Sequence, residues 1–61
     1  MTANDIAILI TLALASYDHN EIGIETLSHL VRGLEAHAES LGLLEDVRRI
    51  RRENYEAPAN G

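Results

Sequence analysis

With 61 residues and no cysteine, this chain has to fold without disulfide bridges or thiolate metal sites, and without Phe or Trp its core must be aliphatic. A domain of this size buries only about 60% of the surface of its unfolded chain, so we expect self-association to complete the core. The net charge is −5, and residues 1–47 carry eight acidic residues against one arginine, which excludes nucleic-acid binding over the whole surface.

The first predicted element is a helix over about residues 3–17. Thr2 and Asp5 have the spacing of a capping box at its start, and Asp5 places negative charge in the first turn. A strand over residues 6–14 is the alternative, because this stretch is rich in β-branched side chains. Period-two alternation is absent, however, and the alanines favour a helix.

Residues 6–17, IAILITLALASY, form an uncharged apolar run that points in nearly every direction around this helix. A helix that is apolar on all sides must be buried on all sides, so we expect it to lie at the centre of a homodimer or higher oligomer. The predicted interface consists of Ile6, Ile8, Leu9, Ile10, Leu12, Ala13 and Leu14.

The same run does not predict a membrane span. As a helix it would reach about 18 Å, against a hydrocarbon core of roughly 30 Å. No Lys or Arg precedes Arg32, so the basic flank of a secretory signal is missing. We therefore expect a cytoplasmic protein with no membrane partner.

The second predicted helix covers residues 19–41. Asp18 and Glu21 repeat the capping-box spacing at its start, and Tyr17 and Ile22 are placed to form a hydrophobic staple. The short connection makes the first two helices an antiparallel hairpin. One face of the second helix is apolar along its length, and its members are Ile24, Leu27, Leu30, Val31, Leu34, Ala38 and Leu41.

Gly42 is predicted to end the second helix. In an unbroken helix, Leu43, Val47 and Ile50 would point roughly 150° away from the preceding apolar face. A break lets a third helix over residues 43–54 return them to the core, whereas an unbroken rod would have two apolar faces and need a partner. Residues 55–61 lack periodicity and predict a disordered tail, which leaves residues 1–54 as a single helical domain.

The polar residues predict neither a metal site nor catalysis. His29 and His37 lie about 12 Å apart along a helix and cannot share an ion within one chain. Glu21, Glu25 and His29 line one stripe, which leaves a cation site across a dimer as an alternative to a solvated face. The chain has no Cys or Lys nucleophile and no glycine-rich phosphate loop. We therefore expect no enzyme, no cofactor and no metal ligand.

Two further features of the second helix bear on packing. His37 borders the apolar face and is expected to be a half-buried packing residue. Gly33, Ala36 and Ser40 form a small-residue patch, which is either a crossing point in an oligomer or a solvent-facing surface.

The end of the third predicted helix carries a cluster of four arginines: Arg48, Arg49, Arg51 and Arg52. Arginine forms bidentate contacts with phosphates, so the cluster is a candidate nucleic-acid contact. The helix dipole, however, also favours acidic residues before basic ones, and Glu45 and Arg49 are spaced for an i,i+4 ion pair. Because no aromatic residue or lysine is interleaved, we favour a solvated face or a contact with an acidic partner.

These features predict an all-α fold: a helical hairpin with a short third helix, assembled as a homodimer or higher helical bundle. The function they favour is a small non-catalytic regulatory or adaptor protein, acting through helix-mediated self-association and binding to another protein. The alternative is a small dimeric nucleic-acid-binding regulator that uses the arginine cluster.

Overall fold

A computed structural model describes residues 1–55 of the chain, with side chains described through Asn54. Within this range the all-α prediction is confirmed, since there are three α-helices, a π-helical turn and no strand. The helices are α1 (Ala3–Asp18), α2 (Ile24–Ser40) and α3 (Leu44–Ile50), and the π-helical turn (Arg51–Tyr55) continues α3. The tail predicted for residues 55–61 lies outside the described residues, apart from the backbone of Tyr55.

α1 begins with the predicted capping box. The Asp5 N–H donates to Thr2 Oγ1 at 3.1 Å, and the Thr2 N–H donates to Asp5 Oδ2 at 3.1 Å. Hydrogen bonding from the Thr2 backbone, with a smaller contribution from its side chain, lowers the pKa of Asp5 below its ordinary value of 3.8. The first turn of α1 is thus held by two reciprocal bonds and by a carboxylate next to the positive end of the helix dipole.

α1 ends in a Schellman motif, in which the last carbonyls of a helix bond to the turn that follows it. The Glu21 N–H donates to the Ser16 carbonyl at 2.9 Å, and the Asn20 N–H donates to the Tyr17 carbonyl at 3.0 Å. Asn20 has a positive φ of 60°, which Asn tolerates better than most residues. The predicted start of α2 at residue 19 is therefore wrong, because residues 19–21 cap α1 and α2 begins only at Ile24.

α2 ends in a second Schellman motif. Gly42 has a φ of 73°, a left-handed conformation in which any side chain would be strained. The Gly42 N–H donates to the Glu39 carbonyl at 3.0 Å, and the Leu43 N–H donates to the Ala38 carbonyl at 2.8 Å. The predicted break at Gly42 is confirmed, and α2 and α3 are separate helices.

The core lies where α1 meets the other two helices. α1 packs against both α2 and α3, which contact each other less. As predicted, the apolar stripe of α3 returns to this core, with Val47 buried and with Leu43 and Ile50 packed against it. The buried cluster at its centre consists of Ile6, Ala7, Ile10, Ala38 and Val47.

The described chain is flat, with α-carbon extents of 31 × 30 × 14 Å. Helices pack with their axes about 8–10 Å apart, so a thickness of 14 Å holds at most two of them. Within residues 1–55, α1 is therefore only partly covered, and Leu9 and Leu12 are its exposed leucines.

Candidate functional site

A groove runs between α1 and α2 and has a volume of about 310 Å³. We call it the α1–α2 groove. Its walls come from both helices and from Ile22, which precedes α2. The lining residues are Leu9, Leu12, Ala13, Ser16, Ile22, Leu30 and Leu34. None of the seven carries a charge, and six of them are aliphatic.

The edges of the α1–α2 groove are leucines that the chain leaves exposed. Leu12 is 57% exposed and Leu30 is 45% exposed, whereas Ala13 forms a floor that is only 7% exposed. Leu41, seven residues beyond Leu34 on the same side of α2, is also exposed. Clustered exposed leucines around an apolar groove are typical of a surface that binds another protein.

The predicted oligomer interface divides into three parts in the single chain. Ile6, Ile10 and Ala13 are buried, and the first two belong to the central cluster. Ile8 and Leu14 are half-buried, and Leu9 and Leu12 are exposed. Only Leu9, Leu12 and Ala13 of the predicted set line the α1–α2 groove.

Sequence reasoning missed the contribution of α2 to this groove. Leu30 and Leu34 belong to the predicted apolar face of α2. Leu34 packs against the core cluster, whereas Leu30 is exposed, and both line the groove. His37 is also exposed, so the predicted half-buried packing role is wrong. The width of the apolar face of α2 could have indicated this contribution, because that face is wider than one neighbouring helix can cover.

A second groove, with a volume of about 360 Å³, combines apolar and charged walls. It is lined by Leu14 of α1 and by Leu27, Ser28, Val31, Arg32 and Glu35 of α2. Helical spacing places these residues on the other side of the contact between the two helices. Arg32 is exposed and Glu35 is half-buried, so this groove has a charged edge that the α1–α2 groove lacks.

The arginine cluster lies at the end of α3 and in the π-helical turn. Arg48, Arg49 and Arg52 are exposed, and Arg51 is half-buried. The predicted partner of Arg49 is wrong, because its Nη2 pairs with Asp46 Oδ1 at 3.3 Å rather than with Glu45. Both side chains of this pair are 53% exposed, so the pair contributes at most about 1 kcal/mol.

The described part of the chain contains no group of three or more His, Cys, Asp or Glu residues placed to hold a metal ion. All three histidines are exposed, as are Glu21 and Glu25, which were predicted to share a stripe with His29. None of the helices in residues 1–55 is long and apolar enough to cross a membrane. Among these residues, no polar or charged side chain is buried.

Comparison with protein families, with curated proteins and with solved structures finds no match to this chain. The most distinctive arrangement of residues in the described part of the chain is the uncharged α1–α2 groove with its exposed leucines.

Proposed function

We propose that this chain is a non-catalytic regulatory or adaptor protein that acts through helix-mediated self-association and binding to another protein. The observation that carries the proposal is the α1–α2 groove, whose lining is uncharged and whose edge residues Leu12 and Leu30 are exposed. Burying apolar surface stabilises an association by about 25 cal/mol per Å². Because exposed leucines surround this apolar groove, burying them against a partner is more favourable than leaving them in contact with water.

The shape of the groove suits an apolar helix as its occupant. Leu9, Leu12 and Ser16 follow one another along α1 at intervals of three and four residues, and Leu30 and Leu34 are four residues apart along α2. A groove between two such rows accepts the apolar stripe of a third helix, which has the same spacing. Helix-in-groove binding is a common mode of regulatory protein association.

The charged exterior supports a second protein contact away from this groove. Glu25 and Glu39 are exposed on α2, and Glu35 lines the second groove. With a net charge of −5, the chain attracts a basic partner surface and repels an acidic one. The proposal thus assigns the apolar groove to helix packing and the acidic exterior to recognition of a basic protein.

Site-specific photo-crosslinking in the native host tests the proposal. A photoreactive residue replaces Leu12 in one variant, Glu39 in a second and Asn4, on the side of α1 away from the groove, in a third. We expect discrete protein adducts from positions 12 and 39 and none from position 4. If no position gives a protein adduct above the unirradiated control, the proposal of a protein-binding function is wrong.

Nucleic-acid binding is a second candidate, favoured by the exposure of Arg48, Arg49 and Arg52 at one end of the chain. Its test is fluorescence anisotropy with duplex DNA and single-stranded RNA over a range of salt concentrations. Binding through these arginines would weaken steeply with salt and disappear when all four arginines of the cluster are changed to alanine. Binding that survives the fourfold change, or no binding at low salt, rules this candidate out.

A further inference from the structure

We infer that the occupant of the α1–α2 groove is a second copy of this chain, bound face to face about a two-fold axis. This inference rests on the proposed function, because it takes the groove to be a binding site and names what fills it. It replaces the predicted interface, which was confined to α1, with one that both α1 and α2 build.

The groove and the side chains that would fill it belong to one surface. Leu12 and Leu30 project at its edges, and Ala13 forms its floor. A two-fold interface uses the same patch on both copies, so that patch must contain both the projections and the hollow that receives them. The α1–α2 groove meets this requirement, because leucines from one copy can enter the groove of the other.

The charge distribution favours a second copy over a charged foreign partner. Two chains of net charge −5 repel each other wherever their acidic surfaces meet. The lining of the α1–α2 groove brings no charge into such a contact. The second groove, by contrast, would bring Arg32 and Glu35 of both copies into the contact, where these charged side chains would lose their hydration.

The small core provides a second argument for self-association. Of the fully buried side chains, the largest are Ile6, Ile10 and Val47, and the remaining members of the central cluster are alanines. A core of this size is at the margin of what stabilises a domain on its own. Leu9 and Leu12 of α1 and Leu30 of α2 are exposed apolar groups that line the groove, and pairing through the groove would bury all three in both copies.

The test is the absolute mass in solution, measured by light scattering after size exclusion and by sedimentation equilibrium, from micromolar to millimolar concentration. The critical variants are Leu12→Asp and Leu30→Asp. Ile24→Asp is the matched control, because Ile24 is as exposed as Leu12, at 57%, but lines neither groove. Circular dichroism establishes that each variant keeps its helices.

We expect a dimer for the wild type and for Ile24→Asp, and helical monomers for the two groove variants. A wild type that stays monomeric at millimolar concentration overturns the inference. So does a dimer that persists in both groove variants, or one that Ile24→Asp disrupts as strongly as Leu12→Asp.

If the aspartate variants unfold, two measurements on folded protein decide the question. Leu12→Ala is expected to raise the dimer dissociation constant at least tenfold, whereas Ile24→Ala leaves it unchanged within about threefold. In a mixture of isotope-labelled and unlabelled wild-type chains, NMR contacts between copies should involve the methyl groups of Leu9, Leu12 and Leu30. Contacts between copies at other residues, or equal effects of the two alanine changes, overturn the inference.

The two proposals fail in different ways. A monomer in solution that crosslinks to a different protein from position 12 overturns the inference about the second copy and supports the adaptor function. A dimer whose only crosslinked product is twice the mass of the chain supports the second copy and overturns binding to another protein.

Discussion

Ile10 and Leu12 lie two residues apart on α1, yet Ile10 is 1% exposed and Leu12 is 57% exposed. Because successive residues of a helix are rotated by about 100°, these two side chains point to opposite sides of α1. Ile10 enters the core that this chain builds for itself, whereas Leu12 lies at the edge of the α1–α2 groove. The same apolar run therefore contributes to both the core and the α1–α2 groove. Substitutions at Ile10 and Leu12 test these two surfaces separately.

Ile10→Ala is expected to unfold the chain. Removing a buried isoleucine side chain costs about 2–5 kcal/mol, because the lost contacts leave a cavity. A core this small supplies rarely more than about 3–5 kcal/mol in total. Urea denaturation followed by circular dichroism should thus show no cooperative transition, or one at a much lower midpoint. A midpoint equal to that of the wild type would contradict the burial of Ile10.

Leu12→Ala is expected to change how stability depends on concentration. If the α1–α2 groove holds a second copy, the melting temperature of the wild type rises with protein concentration by mass action. Leu12→Ala removes part of the bound surface, so its melting temperature should be lower than that of the wild type at high concentration, and the difference should shrink on dilution as both proteins dissociate. Differential scanning calorimetry over a hundredfold concentration range measures this difference. A difference that stayed the same down to concentrations at which the wild type is monomeric would count against the groove as the interface.

The sequence predicted the parts of the fold that depend on local chemistry. Thr2 and Asp5 defined the start of α1, and Gly42 defined the break after α2, because caps and left-handed turns need particular residues. The start of α2 was mispredicted because residues 18–21 fit two local motifs. The segment resembles an N-terminal capping box, but Asn20 also suits the end of a helix, and the bond from Glu21 to Ser16 shows which motif forms.

The α1–α2 groove could not be derived from local chemistry. The apolar pattern of α2 gives the direction of Leu30 and Leu34 around the helix, but not which of them α1 covers. That depends on the angle and position at which the two helices cross, and here the crossing leaves Leu30 at the open edge. Sequence reasoning identified surplus apolar surface on α1 but could not place it relative to α2.

The glycines Gly33 and Gly42 are expected to respond oppositely to alanine. A Cβ added at Gly33 meets nothing within 4 Å, so Gly33→Ala should stabilise α2 by about 1 kcal/mol through helix propensity. Gly42 has a φ of 73°, so Gly42→Ala should destabilise the chain by about 1 kcal/mol or more, although space is available there as well. For a domain of this size each change shifts the melting temperature by roughly 4–8 °C.

The Gly33→Ala variant also resolves the role of the small-residue patch formed by Gly33, Ala36 and Ser40. The single chain leaves this position open, as expected of a solvent-facing surface. If the patch is instead a crossing point between copies, Gly33→Ala will weaken dimerisation while still stabilising the monomer. Melting temperatures at low and high protein concentration distinguish these two roles. Only at a crossing point would Gly33→Ala raise the melting temperature of the dilute monomer and lower that of the concentrated dimer.

The capping box at Thr2 and Asp5 predicts a specific loss of stability in acid. The folded state lowers the pKa of Asp5 below 3.8, so the folded chain releases this proton more readily than the unfolded chain. The stabilisation is therefore complete above the ordinary pKa of 3.8 and is lost as the pH falls through the lower, folded value. We expect the difference in melting temperature between the wild type and Asp5→Asn to be largest near pH 6 and to shrink below pH 4.

Thr2→Ala provides the matched control for this pH dependence. It removes the hydroxyl that accepts the Asp5 N–H, and the loss of a cap of this kind costs about 1 kcal/mol. The Thr2 N–H remains and still donates to the carboxylate, so a reduced pH dependence should persist in this variant. Melting curves from pH 6 to pH 2.5 for the wild type and both variants measure the effect. If the wild type and Asp5→Asn lost stability in parallel over that range, the carboxylate of Asp5 would not be the group whose protonation weakens the start of α1.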